Sequence, residues 1–458
     1  MITLISTLAT ISLVLQCTLA APTVLSSETS LDVPTPASSK TSASRTSTPA
    51  PSRTASAISI SNPKFSGDES PYYVVPTGTD IPPEATSTDP STLNKIGTFL
   101  YGYDDCKKNY GDGAKGKIDD AYYDAWVMSN TDGVHSKIDW NNAAALEFLG
   151  APGYNKAKQP QIQAVFANVA TVIYSYKNPF QHAIHVRCDD PYKRCQNRPD
   201  KDPCQPKPPN PGEKAKPTPL AYSKNKDNTG YPMINFCEGF MNRRKLSDAI
   251  TYGKAQASPN NLDLANYDNR AQTFLHELFH LNLAADSPSP NPSIIDLQID
   301  IKAGTAGNTY TFPAYGPTLT KVLARYHNNA DPGSTGYYVQ RNSDNLAYYA
   351  LAKYVTKKNS NIYPHLPIVK YEINGPPYPP ILNLFPAFGS GPNGTNVFLN
   401  TTDTIDTLDT NLDDYPHCSD DADDAAITTV NITNFAADDA YPASYIKNLN
   451  SWVTALKG

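Results

Sequence analysis

Apolar positions along the chain change spacing several times, and each change marks an element. In KIDDAYYDAWVMSN, 117–130, Ala121, Ala125, Trp126 and Met128 recur at helical spacing behind an acidic pair, Asp119 and Asp120, suited to a first turn. A second helix is predicted over 158–177, KQPQIQAVFANVATVIYSYK. HAIHVRC at 182–188 alternates and is rich in β-type residues, so a strand is predicted there, and another in YPMINFCEGF at 231–240. The polar, proline-rich 189–228 between them is a long loop. Helical spacing returns from Asp268 to Ala285, where Ala271, Phe274, Leu275, Leu278 and Phe279 make one apolar face. Asp268 suits the N-cap and Ser287-Pro288 ends that helix. Further helices are predicted at 316–326, with Pro317 in the first turn, and at 343–355. There is no internal repeat, and the mixture reads as α+β.

The ends of the chain have a different character. MITLISTLATISLVLQCTLA, 1–20, is an apolar run ending in small residues, with Thr18 and Ala20 at the −3 and −1 positions of a cleavage site, so a secretory signal peptide is expected. No second apolar stretch is long enough to span a bilayer, and the C-terminus lacks a lipid-anchor signal. Residues 21–95 are rich in Ser, Thr and Pro, cannot bury a core, and read as a disordered stalk or pro-segment. Folding is expected from 96 to 360, and 361–458 reads as an irregular, proline-rich and acidic extension. That extension carries three N-x-S/T sequons, at Asn393, Asn400 and Asn431, expected to bear glycans on surface loops.

Charge narrows the partners. The 458 residues carry a net charge of −6 without a basic stripe, which argues against nucleic acid. Of seven cysteines, Cys17 falls in the signal peptide. The remaining Cys106, Cys188, Cys195, Cys204, Cys237 and Cys418 are an even set, fitting three disulfides in an exported protein. Sequence leaves their connectivity open, although Cys195 and Cys204 flank a short loop that a bond could close. The expected setting is extracellular, free or at a cell wall, as a monomer and without a membrane partner.

One motif carries chemistry. His276, Glu277 and His280 spell H-E-x-x-H on the predicted helix, and residues four apart share a helical face, so both histidines can reach one ion. Zinc in such a site lowers the pKa of its water to about 7, and Glu277 is placed to act as general base. A third protein ligand is needed. Asp286 lies ten residues after His276, but the turn that would bring it back favours glycine and has Leu283. Asp296 and Asp300 in SIIDLQID are the other nearby carboxylates, and His327 is the nearest further histidine. His182 and His185, three apart on a strand, face opposite sides; His135, His365 and His417 are expected at the surface, and Tyr348 and Tyr349 in the core and rim of their helix.

LHELFH, then AYG at 314–316, then RNSDNLAYYALAKY at 341–354 resemble the aspzincin metallopeptidases, the family of deuterolysin and peptidyl-Lys metalloendopeptidase. The pattern there is H-E-x-x-H, G-T-x-D-x-x-Y-G and N-A-D-x-x-x-Y-x-A. The resemblance is good over 230–355, looser over 96–230 and absent after 360. It implies a zincin-like domain with a small mixed sheet, zinc on His276 and His280, Glu277 as base, and Tyr315 as a donor to the tetrahedral intermediate. It places Asp344 near the pocket for the substrate side chain. The second pocket acid of lysine-specific members falls on Ala347, so lysine preference is not implied. The family aspartate would fall on Phe312, three before Tyr315, so an insertion has moved the ligand; Asp296 is preferred over Asp300 and Asp286. The expected function is a secreted zinc endopeptidase acting on peptide or protein substrates. The alternative is a secreted zinc-binding surface glycoprotein with a non-proteolytic site.

Overall fold

The computed structural model describes residues 98–170, 182–195, 219–287, 290–303, 308–327, 334–372, 381–385, 397–398, 429–432 and 435–457. The signal peptide and stalk of 1–95, Cys204, Cys418, Asn393, Asn400, His417 and residues 171–177 of the predicted second helix lie outside them.

The described part is α+β. A four-stranded sheet contains β1 (Thr98–Asp104), β2 (His182–Arg187), β3 (Ala221–Lys224) and β4 (Met233–Phe236) in the order β1-β2-β4-β3. β1, β2 and β4 run parallel, whereas β3 is antiparallel to β4 and ends the sheet. β5 (Gln298–Ala303) and β6 (Asn308–Pro313) form a hairpin, and β10 (Thr429–Ile432) adds to it parallel to β5. β7 (Ile368–Glu372), β8 (Ile381–Phe385) and β9 (Val397–Phe398) make a third, antiparallel sheet. Among the described residues the helices of nine residues or more are α1 (Ala114–Ser129), α2 (Gln159–Ala170), α3 (Leu246–Ala255), α4 (Arg270–His280), α5 (Gly316–Ala324), α6 (Ser343–Lys358) and α7 (Ala443–Lys457). No helix of the described part is long and apolar enough to cross a membrane.

α4 is the centre of the packing. Its cap is Asn269, whose side chain accepts from the Gln272 N–H, rather than the expected Asp268; Asp268 instead accepts from the Tyr348 hydroxyl. The apolar face wedges between sheet and helices. Phe274 meets Phe236 of β4 and Tyr122 of α1, and Phe279 packs edge-on against Phe166 of α2. The opposite stripe of Thr273, His276, Glu277 and His280 is thereby turned toward α6 and the segment before β5. The helix is shorter than the 268–285 expected, because Leu281 is extended. Asn225, after β3, closes that end: its Nδ2 donates to the His280 carbonyl and its Oδ1 accepts from the Asn282 N–H.

Disulfides pin the ends of the parallel strands. Cys106 bonds Cys188 after β2, and Cys195 bonds Cys237 after β4. Of the pairings left open, the strand ends select Cys237, distant in sequence, for Cys195 rather than Cys204.

The chain beyond 360 is not an irregular appendage where it is described. Tyr445, Leu449 and Val453 of α7 pack with Leu146, Leu366 and Ile368. A buried polar knot lies beneath them. Glu147 accepts from Lys321 Nζ at 2.5 Å and from the hydroxyls of Tyr363 and Tyr445, and Lys321 also donates to the carbonyls of His365 and Pro367. His365, expected at the surface, is buried here, stacked on Trp452 with ring centroids 4.4 Å apart.

Candidate metal centre

Helical geometry places His276 and His280 one turn apart on the polar stripe of α4, and the segment before β5 lays Asp296 against both. Nε2 of His276, Nε2 of His280 and Oδ1 of Asp296 are each 3.2 Å from the other two. The three form a group that can hold a metal ion. The Asp296 side chain is only 5% exposed.

The outer nitrogens fix the rings. His280 Nδ1 lies 2.9 Å from the carbonyl oxygen of Ile294, which can only accept, so Nδ1 carries the proton and Nε2 turns inward. His276 Nδ1 lies 2.8 Å from Asp344 Oδ1. Oδ2 of the same carboxylate accepts from the Gly316 N–H at 2.7 Å, so Asp344 serves as acceptor to both. In neutral rings both Nε2 lone pairs therefore aim at one point together with a carboxylate oxygen. Such a centre stabilises positive charge, whether from protons or from a metal ion. Without metal, burial opposes protonation of His276, but Asp296 and Asp344 raise it well above the ordinary imidazole range. His280 is raised too, by Asp296 against burial. Asp296 is held well below the usual carboxylate range by His280 and His276, in spite of burial.

Glu277 shares the stripe, is buried, and lies close enough for its charge to favour protonated His280. Tyr315 is buried at the N-cap of α5, its ring edge-on to His276 with centroids 5.8 Å apart. Gly316 follows at φ 69°, a left-handed conformation that suits glycine and aims its N–H at Asp344.

Asp344, which the resemblance put near a substrate pocket, is 1% exposed with both oxygens engaged, one of them by the ring of His276. It is placed to orient that ring, as carboxylates behind metal-bound histidines do. Asp286 is exposed, caps the short turn after α4 with φ 55°, and is not in the group. The Asp300 backbone lies inside β5, paired with Thr311 and Asn431, and His327 stacks on Tyr154.

Two features have partners that local sequence does not show. His185 is not a bland strand residue: Nδ1 is 2.5 Å from Asp227 and Nε2 3.0 Å from Asp104. Burial opposes its charging, but the two carboxylates raise its pKa. The carboxylates come from β1 and from the β3–β4 turn, which local pattern does not join. The other feature is the polar run Asn342–Asn345, fully buried at the head of an apolar helix. Burying four polar residues in succession requires partners, and that composition was the available signal. Ser343 Oγ donates to the His276 carbonyl, and Asn345 donates to the carbonyls of Phe148 and Thr320.

No protein-family model, curated protein or solved structure matches the chain.

Proposed function

We propose that the protein is a secreted zinc endopeptidase of the aspzincin type, with His276, His280 and Asp296 as zinc ligands. The observation that carries the reading is the 3.2 Å triangle. Ligand atoms about 2.0–2.1 Å from a tetrahedral zinc lie about 3.3–3.4 Å apart, so two imidazoles and one carboxylate fit with a fourth position left for water or substrate.

The connection between ligand and tyrosine adds support. Counted along the chain, Asp296 is far from Tyr315. In space the hairpin β5–β6 closes on itself, and the Ala314 N–H bonds the Leu297 carbonyl at 2.7 Å. Without the hairpin the chain would read Asp296-Leu297-Ala314-Tyr315-Gly316, which is the D-x-x-Y-G spacing of that family. The hairpin is then an insertion inside the motif, which explains why linear counting lands on Phe312.

Zinc, when bound, would polarise the scissile carbonyl and acidify water. The chain's own groups do the rest. Glu277 takes the proton from water and returns it to the leaving nitrogen. The Tyr315 hydroxyl donates to the developing oxyanion. Asp344 and the Ile294 carbonyl hold the two imidazoles in the ligand tautomer. An extended peptide can add along β3, the end strand beside α4.

The test uses the secreted chain, with any pro-segment removed, and its Glu277→Gln variant. Both should retain zinc, and casein hydrolysis should fall about 10²–10⁴-fold in the variant. Zinc in both with hydrolysis by neither would replace the peptidase reading with the metal-binding glycoprotein.

A further inference from the structure

The segment that presents Asp296 lacks the usual support of a ligand-bearing strand. Residues 290–297 precede β5, and their strand-type pairing among the described residues is a lone bridge between Ile295 and Asn342. Tyr315 is likewise at a break, between β6 and α5. An insertion between the two would let each drift. We propose that Asn342 is the positioning residue that couples the metal ligand Asp296 to Tyr315 across the inserted hairpin.

Asn342 stands at the N-cap of α6, where an asparagine ordinarily accepts from its own helix. Here it makes no such bond. Its Oδ1 accepts from the N–H of Leu297, the residue after the ligand, at 3.1 Å. Its Nδ2 donates to the carbonyl of Ala314, the residue before Tyr315, at 2.8 Å, and to Asn345 Oδ1 at 2.7 Å. The backbone around it grips the other side of the ligand: the Ile295 N–H bonds the Arg341 carbonyl, and the Ser343 N–H bonds the Ile295 carbonyl. Ser343 and Asp344, next along, bond the carbonyl and ring of His276. One turn of chain thus sets the register of three parts of the site. Only an amide has the acceptor for Leu297 and two donors for Ala314 and Asn345 in one group. Aspartate keeps the shape and the acceptor but loses both donors, and leucine keeps only the bulk.

This inference rests on the metal-holding part of the proposed function and not on peptide hydrolysis. The experiment measures zinc affinity by chelator competition, and the visible spectrum of the Co²⁺-substituted protein, for wild type, Asn342→Asp and Asn342→Leu. Tyr349→Phe is the control, because it removes a buried hydrogen bond to the Gly133 carbonyl lower in the same helix. Both Asn342 variants should bind zinc at least about 10-fold more weakly and shift the Co²⁺ bands, the range seen when support behind metal ligands is removed. Tyr349→Phe should melt earlier with wild-type zinc affinity and spectrum. If Asn342→Leu does not fold, Asn342→Asp decides. Wild-type affinity and spectrum in Asn342→Asp overturn the inference, whatever its melting temperature. Equal weakening by Tyr349→Phe overturns it as well, by making the effect general destabilisation. A wild-type protein that binds no zinc would remove the metal reading itself, and this inference with it.

Discussion

Asp344→Asn tests the orientation of His276 most sharply, because the substitution barely changes shape. The carboxylate accepts on both oxygens: from His276 Nδ1 at 2.8 Å on Oδ1 and from the Gly316 N–H at 2.7 Å on Oδ2. An amide offers one acceptor. As long as His276 keeps its proton on Nδ1, the NH₂ faces one of those two donors whichever way it turns and leaves it unsatisfied in a buried place. Such a group costs about 1–3 kcal/mol of stability. The metal is affected separately. Without a carboxylate at Nδ1, the imidazole is free to move its proton to Nε2, and that tautomer has no lone pair for the ion. Loss of such support lowers metal affinity about 10–100-fold, or about 1.4–2.7 kcal/mol. Stability is read by urea denaturation of metal-free protein, and affinity by competition with a chromophoric chelator. Both should fall. Affinity within about twofold of wild type would refute the reasoning, because the ring would then be held without Asp344.

The buried knot beneath α7 gives two further predictions. His365 is pushed down to about 4 by burial and by the charge of Lys321, against an unfolded value near 6.5. The unfolded chain therefore takes up the proton first on acidification. Stability should be full above pH 6.5, fall between 6.5 and about 4, and level off below, by about 3 kcal/mol in all. His365→Phe keeps the stack on Trp452 and should flatten that part of the profile; parallel denaturation curves for the two proteins would contradict the assignment. Lys321→Met should cost about 3–5 kcal/mol in chemical denaturation, because it leaves the Glu147 carboxylate buried without its cation. Adding Glu147→Leu should recover much of that, and a single-variant cost below about 1 kcal/mol would show that the Tyr363 and Tyr445 hydroxyls satisfy Glu147 alone.

What could be read from the chain depended on how local its cause was. The apolar spacing of Phe274, Leu275, Leu278 and Phe279 fixes a helix, and that helix alone brings His276 to His280. Asp296 was legible because few carboxylates lie nearby and its segment is apolar. The end of α4 was not, because Asn225, from another part of the fold, closes it. The contact of Asp344 with His276 was not legible for a related reason: only the packing of α6 on α4 shows that its carboxylate faces a histidine ring. His185 and its two carboxylates, and the Cys195–Cys237 bond, depend on neighbouring strand ends that no local pattern joins. The relation of Asp296 to Tyr315 was hidden by the hairpin, whose ends meet at Leu297 and Ala314.

The proposed function requires one zinc ion on His276, His280 and Asp296. Its most direct test is a crystal structure of the protein as purified, with anomalous diffraction recorded on both sides of the zinc edge. One zinc peak per chain is expected, about 2.0–2.1 Å from Nε2 of His276, Nε2 of His280 and an oxygen of Asp296, with Glu277 beside the fourth position. A zinc peak bound by Asp286 or Asp300 in place of Asp296, or a zinc-supplemented protein with no peak at the two histidines, would contradict it.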